Sequence, residues 1–151
     1  MKFSLYSHKD LNFVELNTTG NSSQYVKCDP ESEYIDSPLF NLFTDIFEKA
    51  NRLYECYGAT KFNSRYIVPL RNRLLINLTI LERIQLLEDF QAHINSKVQG
   101  KEFLFALVAH DNSWTDRWSL YKEKLITINR KILEVVDFCI DEYRTLWVIG
   151  Y

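Results

Sequence analysis

The sequence predicts a mainly α-helical fold, a bundle of long amphipathic helices that follows a small irregular or β-hairpin N-terminal segment. Three observations support this prediction. Apolar residues recur at helical spacing over most of 37–151, the four glycines fall where periodic segments stop or restart, and the last segment alternates apolar steps of four and three. The 151 residues fit one ordinary domain. We therefore expect a single domain over 1–151, with 1–36 as an N-terminal appendage and 37–151 as the bundle.

The N-terminal segment, residues 1–36, has a different pattern of apolar and polar residues from the rest of the chain. Short alternating apolar runs around Phe3, Phe13 and Tyr25 are separated by a cluster of turn-forming residues at 17–23. Alternation bounded by Asn, Thr, Gly and Ser is typical of strands joined by turns. The pattern favours a β-hairpin in this segment.

The first helix is predicted over residues 39–56. Ser37 can cap its N-terminus, Pro38 suits the first helical position, and Gly58 can take the left-handed conformation just past its end. Apolar residues between these signals hold one face at helical spacing.

A second helix is predicted over most of 71–97, because leucine and isoleucine recur there at steps of three and four. Its apolar stripe is wide enough for other parts of the chain to pack against the helix on two sides. The apolar run at 103–109 is too short for periodicity to separate a buried strand from a buried helix, and we favour a helix.

The third helix is predicted over most of 115–145. Ser113 and Asp116 have the spacing of a capping box. The alternating steps of four and three place Trp118, Leu125 and Ile132 in one seven-residue row, which we expect to be buried. Further apolar residues widen this seam beyond that of a two-stranded coiled coil, which indicates a bundle helix.

Composition restricts the possible environments of the chain. Hydrophobic residues make up 46% and the formal net charge is only −2, so a folded chain without a global charge field is expected. Three widely spaced cysteines without a C-x-x-C pair indicate buried, reduced thiols. The first residues lack the continuous apolar core of a signal peptide, and no stretch approaches the roughly 20 apolar residues of a membrane span. We expect a cytoplasmic protein without a membrane partner.

Common catalytic and cofactor motifs are absent from the sequence. Neither glycine-rich phosphate loop occurs, nor does the nucleophile turn G-x-S-x-G, nor the Glu-x-x-His motif of dimetal bundles. Asp89 and His93 are spaced so that they could share a metal, but His8 and His110 offer no matched second pair. The sequence therefore predicts no enzymatic activity, no metal site and no cofactor.

An acidic segment precedes the first predicted helix. Its carboxylates surround an aromatic residue in a Pro-flanked loop: Asp29, Glu31, Glu33, Tyr34 and Asp36. An acidic patch with an aromatic anchor suits capture of a basic protein. A second acidic row, Glu134, Asp137 and Asp141, lies on the last predicted helix away from its apolar seam.

A basic segment at 61–73 points to a different partner. The segment contains four cationic residues and no acidic residue: Lys61, Arg65, Arg71 and Arg73. Two aromatic residues, Phe62 and Tyr66, lie among them in sequence. Cations beside aromatic rings can contact phosphates and stack a base, as in proteins that bind single-stranded nucleic acids.

The leading functional hypothesis is a non-catalytic protein-binding module, an immunity or antitoxin-like protein that neutralises a basic bacterial toxin by direct binding. The compact, mildly acidic chain resembles bacterial immunity proteins in general character. The first alternative is a nucleic-acid-associated helical domain, either a degenerate HEPN-like subunit or an RNA-binding accessory. The chain resembles HEPN ribonucleases in size and expected bundle architecture, but no Arg is followed by a His four to six residues later. The second alternative is an enzyme whose site is assembled from scattered residues.

Overall fold

The fold is mixed α/β, as seen in a computed structural model that describes residues 1–7 and 12–151. In this part of the chain, 52% of the residues are helical and 13% are in strands, with six helices and a four-stranded antiparallel sheet. The prediction of a mainly α-helical bundle is therefore wrong. The expected excess of helix over strand is confirmed.

The sheet joins the two ends of the chain. Its strands are β1 (Phe13–Asn17), β2 (Glu33–Asp36), β3 (Ala59–Phe62) and β4 (Leu146–Gly150), in the spatial order β2-β1-β4-β3 with all neighbours antiparallel. In the central pair, Leu16 of β1 lies opposite Val148 of β4. Residues 1–36 therefore supply two of the four strands and are an integral part of the domain.

Helices cover one face of this sheet. They are α1 (Ser37–Phe40), α2 (Thr44–Ala50), α3 (Ile67–Arg83), α4 (Leu87–Asn95), α5 (Gly100–His110) and α6 (Trp118–Asp141), with a 3₁₀ turn at Trp114–Arg117 before α6. Side chains of the inner sheet face join one core cluster with the helices, among them Leu16, Ile35 and Val148. The long helices α3 and α6 pack against each other at its centre.

The loop at residues 18–32 covers the opposite face of the sheet. Trp147 donates a hydrogen bond from its indole nitrogen to the carbonyl of Asn21 at 2.8 Å, and its ring packs against Tyr25. Asn17 donates from its side-chain amide to the carbonyl of Val26 at 3.3 Å. Because the loop lies over this face, all five residues of β1 are buried.

The first predicted helix, 39–56, is wrong in its second half. The chain forms the short helices α1 and α2 and leaves helical geometry at Asn51. The Asn51 side chain accepts a hydrogen bond from the backbone of Leu53 at 3.0 Å and donates to the carbonyl of Lys61 at 3.2 Å, which turns the chain toward β3. Gly58 has no positive φ and does not act as a helix cap.

The second predicted helix is divided into α3 and α4. The chain is extended at Ile84, where the sequence has neither Gly nor Pro. Lys122 of α6 donates to the Ile84 carbonyl at 3.1 Å, so a tertiary contact satisfies the end of α3. The helix favoured for 103–109 is confirmed as part of α5.

The N-terminal end of the last helix differs from the prediction. No side chain caps the 3₁₀ turn or α6 in the described structure, so the capping box at Ser113 and Asp116 is not formed. Asp111 organises this turn instead, because it accepts hydrogen bonds from the Ser113 backbone at 3.0 Å and from the Tyr121 hydroxyl at 2.7 Å.

The C-terminal end of α6 precedes the predicted end by four residues. Tyr143 has a φ of 53°, and the Arg144 amide donates to the Cys139 carbonyl at 2.8 Å. This left-handed closure is a Schellman motif without glycine, which releases the chain into β4. The predicted burial of Leu125 and Ile132 is confirmed, whereas Trp118 is only partly buried.

Candidate functional site

Tyr34, the predicted anchor of the acidic segment, lies in the sheet rather than in a loop. Residues 33–36 form β2, and Tyr34 is only 1% exposed. Its hydroxyl donates to the carbonyl of Asp29 at 2.7 Å, and its ring meets that of Phe13 edge-on at 5.3 Å. Tyr34 is therefore a buried residue on the sheet face opposite the helices, and the prediction that it is exposed in a loop is wrong.

Two of the predicted acidic residues have partners within the chain. Asp29 accepts a hydrogen bond from the Thr19 hydroxyl at 2.7 Å, and this contact lowers the pKa of Asp29. Asp36 accepts from the backbone of Lys2 at 2.6 Å and from the Tyr6 hydroxyl at 2.9 Å. Both carboxylates thus fasten neighbouring segments to the domain.

A buried carboxylate that sequence reasoning missed, Glu15, organises the acidic segment. It is fully buried on β1 and accepts hydrogen bonds from the backbone of Cys28 at 2.9 Å and of Asp29 at 3.1 Å. The hydroxyls of Ser32 and Tyr151 also donate to it, each at 2.7 Å. Four donors satisfy this carboxylate and fix the loop over the sheet. A lone Glu inside an apolar strand was the available signal.

The other two acidic residues, Glu31 and Glu33, meet the acidic row of the last helix. Together with Glu134 of α6 they line an open groove of about 460 Å³. We call this site the acidic groove; it is lined by Leu5, Thr18, Glu31, Glu33, Lys131, Glu134, Val135 and Phe138. Phe138 is 44% exposed there. The fold therefore joins carboxylates about a hundred residues apart in sequence beside apolar side chains.

Negative charge prevails in the acidic groove. Lys131 is its only cation among the described lining residues, and its ammonium lies 2.8 Å from a Glu134 carboxylate oxygen. Glu134 raises the pKa of Lys131, first through this hydrogen bond, and Glu33 adds to the effect. Three carboxylates face one lysine, which leaves two negative charges in excess at neutral pH.

The remaining acidic residues of α6 lie outside the groove. Asp137 is paired with Arg71 of α3, with 2.6 Å between the carboxylate oxygen and the guanidinium nitrogen. Asp141 is exposed in the last turn of the helix. The predicted acidic row is thus divided, and one of its members neutralises a residue of the basic segment.

The residues of the basic segment do not form one surface. Lys61 of β3 donates to the Ser22 carbonyl at 2.9 Å, and the exposed Arg65 lies over the ring of Tyr66 at 5.4 Å. Arg71 and Arg73 are two residues apart on α3, a spacing that points them to nearly opposite sides of a helix. Phe62 is fully buried in the core, so its ring is not exposed for stacking.

Arg73 lines a smaller cavity of about 120 Å³ on the α2 side of α3, which also contains Asp45 and Lys97. The Lys97 ammonium lies 3.2 Å from an Asp45 carboxylate oxygen. His93 lies near this pair. Burial and, after it, the neighbouring Lys97 lower the pKa of His93 to about 4, while Asp45 opposes the shift.

The thiols are free of disulfides in the described structure. Cys139 is buried, as the sequence predicts for all three, and burial raises its pKa to about 12. Cys28 and Cys56 are only partly buried. Among the described residues, no group of three or more His, Cys, Asp or Glu side chains is arranged to hold a metal ion.

Comparisons of this chain with protein-family models, curated proteins and solved structures found no match. In the described part of the chain, no helix has the length and apolar character needed to cross a membrane. The function proposed for the acidic groove therefore depends on the geometry and the charge of the groove itself.

Proposed function

We propose that this protein is a non-catalytic binding module that captures a basic protein in the acidic groove. One observation carries the proposal: Glu31 and Glu33 converge with Glu134 around exposed apolar surface that includes Phe138. Complementary charge steers a basic partner toward such a surface, and apolar contacts at its centre slow dissociation.

A lysine or arginine side chain fits the chemistry of this groove. Its aliphatic stem packs against Val135 and Phe138, while its charged head reaches the carboxylates. Lys131 is 55% exposed and its pair with Glu134 is therefore weak, since water screens exposed ion pairs. An incoming guanidinium can displace Lys131 and bind Glu134 with two hydrogen bonds.

Within this class we propose an immunity or antitoxin-like protein, acting in the cytoplasm, that neutralises a basic bacterial toxin by covering it. The excess negative charge of the acidic groove and the absence of the catalytic motifs sought in the sequence support this function. Nucleic-acid binding has less support, because Lys61, Arg71 and Arg73 face different parts of the surface.

Co-expression with the product of the neighbouring gene tests the proposal. The groove variant reverses Glu31, Glu33 and Glu134 to Lys. A matched control variant makes the same charge change at the exposed residues Glu88, Glu102 and Glu123. We expect wild type and the control to co-purify with the partner and to restore growth, and the groove variant to do neither. If the groove variant binds and protects as well as the control, the proposed site is wrong. If wild type neither binds nor protects, the proposed function is wrong.

A further inference from the structure

A second cavity, separate from the acidic groove, lies at the C-terminal end of β4. It has a volume of about 230 Å³ and is bounded by α1, α2, the turn at residues 54–57, Gln99 and the end of β4. Gly150 holds its wall together: its amide donates to the Gly58 carbonyl at 2.9 Å, and an added Cβ would lie 1.8 Å from the Cys56 carbonyl oxygen. A side chain at 150 would therefore force the wall apart.

The described residues that line this cavity carry no charged side chain. Its polar groups are amides and hydroxyls, supplied among others by Ser37, Asn41, Thr44 and Gln99. A charged ligand would be buried here without a counterion, which is costly. The described part of the lining therefore favours a neutral ligand.

Several of these polar groups have no partner within the described part of the chain. No hydrogen bond there involves the side chain of Asn41, Gln99 or Thr44. Among the described residues, every fully buried side-chain nitrogen or oxygen has a hydrogen-bond partner, so these three side chains still contact the water in the cavity. They are therefore available to form hydrogen bonds with a polar ligand that enters it.

Tyrosine rings supply the apolar part of the lining. Tyr54 is held in place, because its ring packs against Phe47 at 6.0 Å and Phe62 at 6.5 Å. Burial raises the pKa of Tyr54, so its hydroxyl stays protonated and can both donate and accept. Tyr57 is 87% exposed and stands at the rim. A flat, partly apolar ring can pack against these faces.

We propose that this cavity binds a single neutral sugar ring. Ser, Thr, Asn, Gln and Tyr side chains each donate and accept hydrogen bonds, as sugar hydroxyls do. The described lining residues offer no cation that would hold the phosphate of a nucleotide. The volume lies below the usual range for larger ligands, which fits one monosaccharide. The C–H face of a pyranose packs on the ring of Tyr54. Its hydroxyls form hydrogen bonds with the side chains of Thr44, Asn41 and Gln99.

Titration with glucose, galactose, mannose and N-acetylglucosamine, followed by amide chemical shifts, tests this proposal. We expect at least one sugar to saturate the protein below about 50 mM and to shift the amides of residues around Thr44. Thr44→Val removes the hydroxyl and should lower the affinity for that sugar by about fivefold. Thr79→Val is the matched control, because the Thr79 hydroxyl is exposed on α3 and bonds to the Leu75 carbonyl at 3.1 Å. It should leave the affinity unchanged.

Three results would overturn the proposal: no sugar saturates, adenine or uracil binds more tightly than every sugar, or Thr44→Val binds like Thr79→Val. Thermal melting checks that each variant is folded. If Thr44→Val fails to fold, Tyr57→Ala replaces it, because Tyr57 is exposed and its loss leaves the core intact. This variant should weaken sugar binding by a similar factor, and unchanged affinity would contradict the assignment.

Discussion

Asn77 of α3 donates a hydrogen bond from Nδ2 to Oδ1 of Asn129 of α6 across 2.8 Å, and both side chains are buried. Asn129 in turn donates to the Leu74 carbonyl at 3.0 Å, and Lys97 approaches Asn77 Oδ1 at 3.5 Å. This polar chain crosses the buried part of the contact between the two longest helices. Because buried polar groups are costly when unpaired, it fixes how the helices align.

Asn129→Ala should lower the free energy of unfolding by about 3 kcal/mol. The substitution leaves the Asn77 amide nitrogen buried without its partner, and it removes the second hydrogen bond that the Leu74 carbonyl accepts. Asn72→Ala on the exposed face of α3 is the control and should cost less than about 0.5 kcal/mol. Urea denaturation measures both, and equal losses would mean that the asparagine pair does not stabilise the helix contact.

Ile132→Ala should destabilise the protein by about 2 to 5 kcal/mol, because Ile132 is fully buried in the core between the sheet and the helices. Leu120→Ala lies on the same helix but at a position that is 47% exposed, and it should cost much less. Chemical denaturation provides the comparison. A loss below about half a kcal/mol for Ile132→Ala would place this residue outside the core.

Tyr143→Gly should stabilise the protein by about 0.5 to 1 kcal/mol. Tyr143 holds the left-handed conformation at the end of α6, a geometry that glycine adopts without steric cost. Its side chain is 97% exposed, so little packing is lost. Tyr143→Ala keeps the Cβ and should not stabilise. If glycine and alanine have the same effect on the melting temperature, the backbone at 143 is not strained.

Local signals in the sequence were sufficient for the long helices but not for the sheet. Apolar periodicity correctly located α6 and showed that 71–97 is helical, although it missed the break between α3 and α4, and the 103–109 run lies in α5. No glycine or proline marks the turn before β4, since Tyr143 takes the left-handed position after the end of α6. Their strand geometry depends on pairing with β1, about 130 residues away, which local periodicity does not report.

The candidate site was predicted in its charges but not in its geometry. Glu31 and Glu33 were identified from their clustering, whereas their convergence with Glu134 depends on the tertiary fold. Tyr34 was assigned to the surface because its segment was interpreted as a loop. In β2, alternation directs Tyr34 to the sheet face where Glu15 lies opposite it. A strand interpretation of residues 33–36 would have placed Tyr34 correctly.

His93 should make stability fall as the solution is acidified from pH 6.5 toward pH 4. The pKa of His93 is about 4 in the folded protein and 6.5 in its ordinary state. Above pH 6.5 both states are neutral; between the two values only the unfolded chain binds a proton, which favours unfolding. The loss should reach about 1 to 3 kcal/mol near pH 4.

His93→Gln isolates this effect, because glutamine does not titrate and the carboxylates remain common to both proteins. The difference in the free energy of unfolding between wild type and His93→Gln should change through this pH window and stay constant above it. Parallel stability curves for the two proteins from pH 7 to pH 4 would show that His93 titrates normally in the folded state.

The rate of association with the basic partner tests the role of the acidic groove most directly. We predict that reversing Glu31, Glu33 and Glu134 to Lys slows association by about tenfold or more at low salt, because the steering charge is inverted. The control with Glu88, Glu102 and Glu123 reversed carries the same net charge and should slow association by less than about threefold. Added salt should reduce the difference in association rate between the two variants, because it screens the charges. Equal association rates for the two variants, measured by stopped-flow fluorescence, would contradict the assignment of the acidic groove as the binding site.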